Sequence, residues 1–452
     1  MIGYGTQQRA NLTGAISSVI TSDIVEQPIV DINQAMLGQA AGVNVMNTSG
    51  TPGGGLDIQI RGISTIGSSN TPLYVVDGNI IQVDMNADSN PLGFLSPSDI
   101  ASIDILKDAS AAAIYGSRGS NGVVLITTRS GQKGKAKVNY NAKGGFQEVF
   151  NQIEVLSAQD FALLAIEARN NTWVDRGSGD RSLFDGDDLR PESTKTAYFR
   201  NFLNSGQKGT NWLDEVFRQA LFQEHQISIS GGSDNVRYLV SGGFLDNQGT
   251  LRNTGFQRYS ARANIDADIN RKLKVNLRLA PSYTNQDFLP VTGRFHEANA
   301  GIVQSALLMN PILGVYDPES ETGYSTGINL MQGLQNMENP VAKINVIKDW
   351  RRNLSLVSSA SVVYDINKLF TFTFTGGATI RTASRNWLSP SSIGAYGIRA
   401  PRDNAILASQ DINYNLQSSV QLSYNQKFGK HTLSGVAVHE KQMQHVNSVS
   451  AR

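Results

Sequence analysis

From Lys135 to its end the chain repeats long stretches in which apolar and polar residues alternate, and no other feature limits its folding more. Tyr259, Ala261, Ala263, Ile265, Ala267 and Ile269 interleave with Ser260, Arg262, Asn264, Asp266 and Asp268. Leu273, Val275, Leu277 and Leu279 interleave with Lys274, Asn276 and Arg278. Phe370, Phe372, Phe374, Gly376, Ala378 and Ile380 alternate with threonines, and Ile412, Tyr414, Leu416, Val420, Leu422 and Tyr424 with Asn, Gln and Ser. A period of two belongs to a strand with one wet and one apolar face. Strands of globular proteins mostly run ~5–6 residues, whereas strands that cross a membrane in a barrel need ~9–11. Several stretches meet the longer figure, and the template counts about nine strands in all.

The connections carry the second half of the argument. Residues 231–235, 269–272, 366–368 and 426–430 read as tight turns, while residues 149–222, 246–255, 283–350 and 381–410 read as longer excursions. Outer-membrane barrels show that asymmetry. In hydrocarbon every backbone N–H needs a partner, so a spanning sheet has to close on itself. A charged side chain on the lipid face costs roughly 2–4 kcal/mol near the midplane, which predicts that Arg262 and Lys274 point inward.

Composition removes other classes. Charged residues are 17% and the formal net charge is +1, with no basic stripe for nucleic acid. Cysteine is absent, which excludes disulfides and cysteine metal sites. No segment holds the ~20 apolar residues of a spanning helix, and residues 300–316 are interrupted by Gln304, Ser305, Asn310 and Pro311. Met1 is followed by glycines and polar residues rather than by a signal-peptide pattern.

Residues 1–131 read as a small α/β domain with a leading arm over about 1–30, ahead of a β region over 132–452. Residues 31–41 have helical spacing, 43–46 and 56–60 read as strands, and Asp77-Gly78 is a hairpin turn signal. Residues 99–130 read as strand, short helix and strand, with Gly116 suited to the left-handed position after a helix end.

Together these features resemble the SusC/RagA-like branch of TonB-dependent outer-membrane transporters. The resemblance is carried by Leu37-Gly38-Gln39-Ala40-Ala41-Gly42-Val43, Ile60-Arg61-Gly62, Pro72-Leu73-Tyr74-Val75-Val76-Asp77-Gly78 and residues 99–130. Gly209-Thr210-Asn211-Trp212, Ile229-Ser230-Gly231-Gly232, Asn253-Thr254-Gly255-Phe256 and Asn339-Pro340 extend it into the strand region. It implies a mainly β fold, in which a plug precedes a partial antiparallel transmembrane β-barrel with about nine of ~22 strands. Because the family opens with a signal peptide ahead of a Gly3-Tyr4-Gly5-Thr6-like motif, it also implies a fragment. The implied function is TonB-dependent import of an oligosaccharide or peptide, with a SusD-like surface lipoprotein and outer-membrane lipid as partners and no cofactor.

The site expectations follow from that resemblance. Arg61 is assigned to a plug–barrel pair, as a buried cation holding a barrel carboxylate. Ser64, Thr65, Ser68, Ser69, Asn70, Asp84 and Asn86 are assigned to plug loops that face the substrate. Trp173, deep in the first long loop, is a candidate platform for a sugar ring or a partner, weighed against simple packing. Trp350 and Trp387 are placed in an interfacial girdle. Catalysis has no support: His296-Glu297 and His439-Glu440 lack the second His of a zinc-protease helix, and no nucleophile elbow is present. The competing readings are a siderophore or cobalamin receptor and a secreted β-rich adhesin.

Overall fold

The computed structural model describes residues 16–19, 32, 36, 38–47, 50–62, 70–81, 90–108, 113–150, 153–176, 179–291, 301–328, 330, 334–394, 400–401, 403–429 and 431–451. The first strands are β1 (Ile16–Val19), β2 (Val43–Asn47), β3 (Leu56–Ile60), β4 (Leu73–Val76), β5 (Asn79–Ile81), β6 (Ile100–Leu106) and β7 (Val123–Thr128). Five of them form a small sheet in the order β1-β6-β7-β4-β5, and β2 pairs with β3 alone. Residues 99–130 hold the expected strands; β6 and β7 are antiparallel neighbours, and β4 pairs with β7 in parallel. Gly116 takes φ 60 inside a 3-10 segment over Ala113–Gly119.

Both faces of this sheet are buried, as its apolar runs require. Ile100, Ile103, Ile105, Val124 and Ile126 pack with Ile32 and Met36 on one side, and Val75, Ile80, Leu106 and Val123 cluster on the other. Asp77 and Gly78 have φ of 48° and 85° between β4 and β5. Two positive values in a two-residue loop make a turn whose twist matches the strands it joins.

The long strands are β8 (Gly134–Gln147), β9 (Ala220–Gly232), β10 (Val236–Gln248), β11 (Gly255–Asp268), β12 (Leu273–Asp287), β13 (Lys348–Asp365), β14 (Phe370–Ser389), β15 (Ala405–Phe428) and β16 (His431–Ala451). They form one nine-stranded sheet in sequence order, every pair antiparallel. The tight turns lie at one end and the long excursions at the other. One excursion is shorter than expected: β14 and β15 stay paired to Ser389↔Ala405, which reduces the 381–410 loop to 390–404. Polar residues on both faces above the apolar band hid this extension.

Each side chain's parity sets its face. Arg258, Arg262 and Asn264 of β11 are buried on the inner face, and Lys274 shares its parity with the inward Ser282, Thr284 and Gln286. On the outer face Leu279, Phe374, Val420 and Leu422 remain 36–41% exposed instead of packing against a second sheet. A row of rings, Tyr140, His225, Phe244, Tyr259 and Tyr283, crosses five neighbouring strands of that face, with Phe244 and Tyr259 centroids 5.0 Å apart. From Leu273 to Tyr283 β12 rises about 33 Å, or about 23 Å of height at the ~45° tilt of barrel strands, close to the apolar band of an outer-membrane barrel. Trp350 shares the outer parity, whereas Trp387 stands opposite the buried Asp349 on the inner one, so only the first fits a girdle.

Two excursions fold together as a helical cap. A helix over Ala158–Asp175 begins at Ser157, whose Oγ accepts from the Asp160 N–H at 3.1 Å and donates to the Asp160 carboxylate at 2.7 Å. Its buried side is Ala158, Ala162, Arg169 and Trp173, while Leu164 and Ala168 are exposed. The Gly209–Trp212 motif joins the two excursions: the Thr210 hydroxyl donates to Leu313 O at 2.6 Å and the Trp212 indole to Asn310 O at 3.0 Å. Helices over Ile302–Leu308 and Pro340–Val346 complete this cap, with Asn339 capping the second through the Val341 and Ala342 N–H groups.

Within the cap Lys343 donates to the Ser305 hydroxyl at 3.0 Å, and burial lowers its pKa to about 8 against the opposing field of Glu338. Its folded pKa lies below the unfolded one, so between pH 8 and the ordinary value of 10.5 the unfolded chain binds more protons. Stability of the cap therefore rises with pH through that window and is flat below it. Corrected hydrogen exchange of the Ile302–Leu308 amides should slow across the window in the unmodified protein. In Lys343→Met the change should vanish.

Candidate functional site

Where the small sheet meets the inner face of the large one, polar groups gather in two clusters. The first surrounds Asp99, at the start of β6, and Asp77, in the β4–β5 turn. Asp99 is 6% exposed; its Oδ1 accepts from Gln226 at 3.0 Å and Ser241 at 2.8 Å, and its Oδ2 faces Arg262 Nε at 3.3 Å. Arg262 also reaches Asp77 Oδ2 at 3.5 Å, and Asp77 in turn accepts from the Thr128 N–H and hydroxyl at 2.9 and 2.7 Å. Asn264 donates to Thr128 Oγ1 at 3.0 Å and Arg129 O at 2.6 Å. One strand height away, Arg258 bridges Glu224 at 3.5 Å and Leu95 O at 2.9 Å.

The second cluster is neutral. Asn415 Nδ2 donates to Ile80 O at 3.1 Å, and Gln417 Nε2 donates to Gly78 O at 2.9 Å and Asn79 Oδ1 at 2.8 Å. Beside it Arg118 hydrogen-bonds Gln442 and pairs with Glu440 at 3.6 Å, both ends partly exposed. The two seams differ in strength. Removing one partner of a buried ion pair costs ~3–5 kcal/mol, whereas a neutral hydrogen bond contributes ~0.5–1.5 and an exposed ion pair ~0–1.

Between the seams lies a cavity of about 330 Å³. Its floor includes Ile81 and Asn415, Phe94 and Asn90 line it from the small domain, and Asn353, Ser355, Thr379, Ser409 and Asn413 from β13 to β15. Arg381 stands level with Ser355 and Asn413, and Arg351 and Arg385 level with Ser409, Arg385 as a fork on Asp349 at 3.0 and 2.6 Å and Arg351 4.3 Å from the Phe288 ring centroid. The Asn413 Oδ1 is buried without a hydrogen-bond partner among the described residues. A wall of hydroxyls, amides and guanidinium forks suits a polar ligand rich in hydrogen-bonding groups.

The TonB-dependent Receptor Plug Domain family matches residues 8–123. TonB-dependent receptor P3 of Formosa agariphila is 30% identical over 446 residues, covering 96% of this chain and 39% of the relative. TonB-dependent receptor SusC of Bacteroides thetaiotaomicron is 30% identical over 471 residues, covering 99% of this chain and 43% of the relative. The chain belongs to the SusC/RagA-like TonB-dependent receptors. It spans about two fifths of the length of these curated relatives. The RagAB peptide importer in its open-open state has the same fold, with TM-score 0.77 at 24% identity over 100% of this chain and 49% of that one. Receptors of this family are outer-membrane β-barrel proteins, so the small sheet is the plug and the nine strands are wall.

The plug residue expected to reach the wall does not. Arg61, at φ 59 after β3, stays half exposed and pairs with Asp108 of the plug itself at 2.5 Å. Its expected role is taken with opposite polarity: plug carboxylates Asp77 and Asp99 meet the wall cation Arg262, and Arg118 makes the exposed pair with Glu440. Trp173 is no open platform. It is 6% exposed, its indole donates to Asp185 at 2.9 Å, and Arg181 covers its ring at 3.9 Å. Hydrogen bonds from the Ser182 N–H and the Trp173 indole hold the Asp185 carboxyl below its ordinary range. Ser64, Thr65, Ser68, Ser69, Asp84 and Asn86 lie outside the described residues, as do His296 and Glu297, while Asn70 is described next to β4. The Arg262 cluster, which sequence reasoning missed, left one signal: an arginine inside an alternating strand has to face a carboxylate or water.

Proposed function

We propose that the protein takes part in energy-dependent import of a polar nutrient, an oligosaccharide or a peptide, across the outer membrane. TonB supplies the work and a SusD-like surface lipoprotein covers the external loops. In this reading residues 1–131 are the plug, residues 132–452 are wall and loops, and Ser64–Asn70, Asp84 and Asn86 face the ligand from below. The cavity above the plug carries the reading: hydroxyls, amides and arginine forks line it on the side of the long excursions. The relatives support the same class, the TonB-dependent receptor SusC by sequence and RagAB, a peptide importer, by fold. A strain lacking the intact receptor should lose growth on at least one member of a panel of purified glycans and peptide digests supplied as sole carbon source. Loss of TonB should reproduce that defect. Unchanged growth on every member would overturn the reading.

A further inference from the structure

We propose that β5 is the gate of the cavity and that Asn79, Asn415, Gln417 and the space over Gly377 form its latch, an inference that rests on the import reading. β5 has three residues and is the edge of the plug sheet, its backbone paired with β4 and its Ile80 and Ile81 side chains packed into the two plug clusters. Its other side lies on the wall, where Ile81 and Asn415 close the bottom of the cavity. Lifting this edge off β14 and β15 lengthens the cavity downward along the wall.

The latch is built for release. Each of its contacts is between neutral amides and carbonyls, at 2.8–3.4 Å. The opposite seam holds the plug carboxylates Asp77 and Asp99 on the buried wall cation Arg262, with Arg258 on Leu95 O beside them. A load on the plug therefore parts the β15 side while the β9–β11 side still holds, and the turn at Asp77, tied to Thr128 and Arg262, is the pivot. Gly377 fixes the place. A Cβ at this position would overlap Asn79 Oδ1 and Gln417 Nε2, so with any larger residue these two side-chain ends have to shift from where they now meet over β14.

The test uses the intact receptor in planar bilayers with KCl as the permeating probe. Asn415→Ala with Gln417→Ala should raise conductance at least tenfold over the unmodified receptor, and Gly377→Ala should raise it by wedging Asn79 away. This chain has no cysteine, so Asn79→Cys with Gly377→Cys in the alanine background, with any cysteine elsewhere in the receptor replaced by serine, gives a unique pair. Oxidising it should return conductance to the unmodified level, and reductant should release it again. Heat-modifiable migration reports folding of each variant. A folded alanine pair that conducts no more than the unmodified receptor overturns the gate, and so does a leak that persists in the oxidised pair. Either result leaves import standing if growth on the receptor's nutrient is retained. Growth that never depends on the receptor removes the import reading whatever the conductance.

Discussion

Replacing Arg262 with alanine should lower the stability of the plug by about 3 kcal/mol, at the near end of the ~3–5 kcal/mol seen when one partner of a buried ion pair is removed. The near end is expected because both of its contacts, 3.3 Å to Asp99 and 3.5 Å to Asp77, are long for charge-assisted bonds. Asp99 keeps Gln226 and Ser241, and Asp77 keeps Thr128, so the loss is that of the balancing charge rather than of every hydrogen bond. Urea unfolding of the plug within the detergent-solubilised intact receptor measures it. Adding Asp99→Asn should recover part of the loss, because a neutral amide is less costly to bury than an uncompensated carboxylate. A cost below about 1 kcal/mol for Arg262→Ala would mean the pair is worth no more than an exposed one, and the strong seam would not exist.

The same cluster shows what one sequence can reveal. The faces of the long strands were legible because a period of two assigns every residue to lipid or lumen, and Arg262 was placed inward on that ground alone. Its partners were not, since Asp99 lies 163 residues away in another sheet and no local pattern couples them. Asp77 was legible as a turn residue, but its carboxylate has a second role that the turn signal conceals. Arg61 failed for a backbone reason: φ 59 at Arg61 and φ 90 at Gly62 turn the chain back toward Asp108. Of the two roles weighed for Trp173 the structure has the packing one: the loop folds on itself and brings Arg181, Asp185 and Arg190 around the indole. The ends of β14 and β15 failed because alternation is imposed by lipid, and above the aromatic row the outer face meets water while the backbone goes on pairing.

Leu279→Arg should destabilise the folded receptor in a bilayer by about 2–4 kcal/mol, the cost of a cation on the lipid face near the midplane. Leu279 stands on the outer face of β12, below the Tyr283 ring and level with Ala263 and Ser358 on the neighbouring strands. Asn276→Arg, three residues away on the inner face, should cost less than about 1 kcal/mol, since the lumen side tolerates charge and already holds Arg278 bonded to Asp266. Equilibrium folding of both variants into vesicles gives the two figures. The comparison separates two architectures that share one alternation pattern. In a water-soluble sandwich the Leu279 and Phe374 rows would be core, and arginine there would prevent folding in detergent and vesicle alike. In a barrel wall those rows touch only solvent or lipid, which is why they are 36–40% exposed in the isolated chain. The penalty should then shrink in proportion as arginine is moved from Leu279 toward Tyr283 and the headgroups. A penalty that is the same at both depths would leave the lipid no part in holding this sheet.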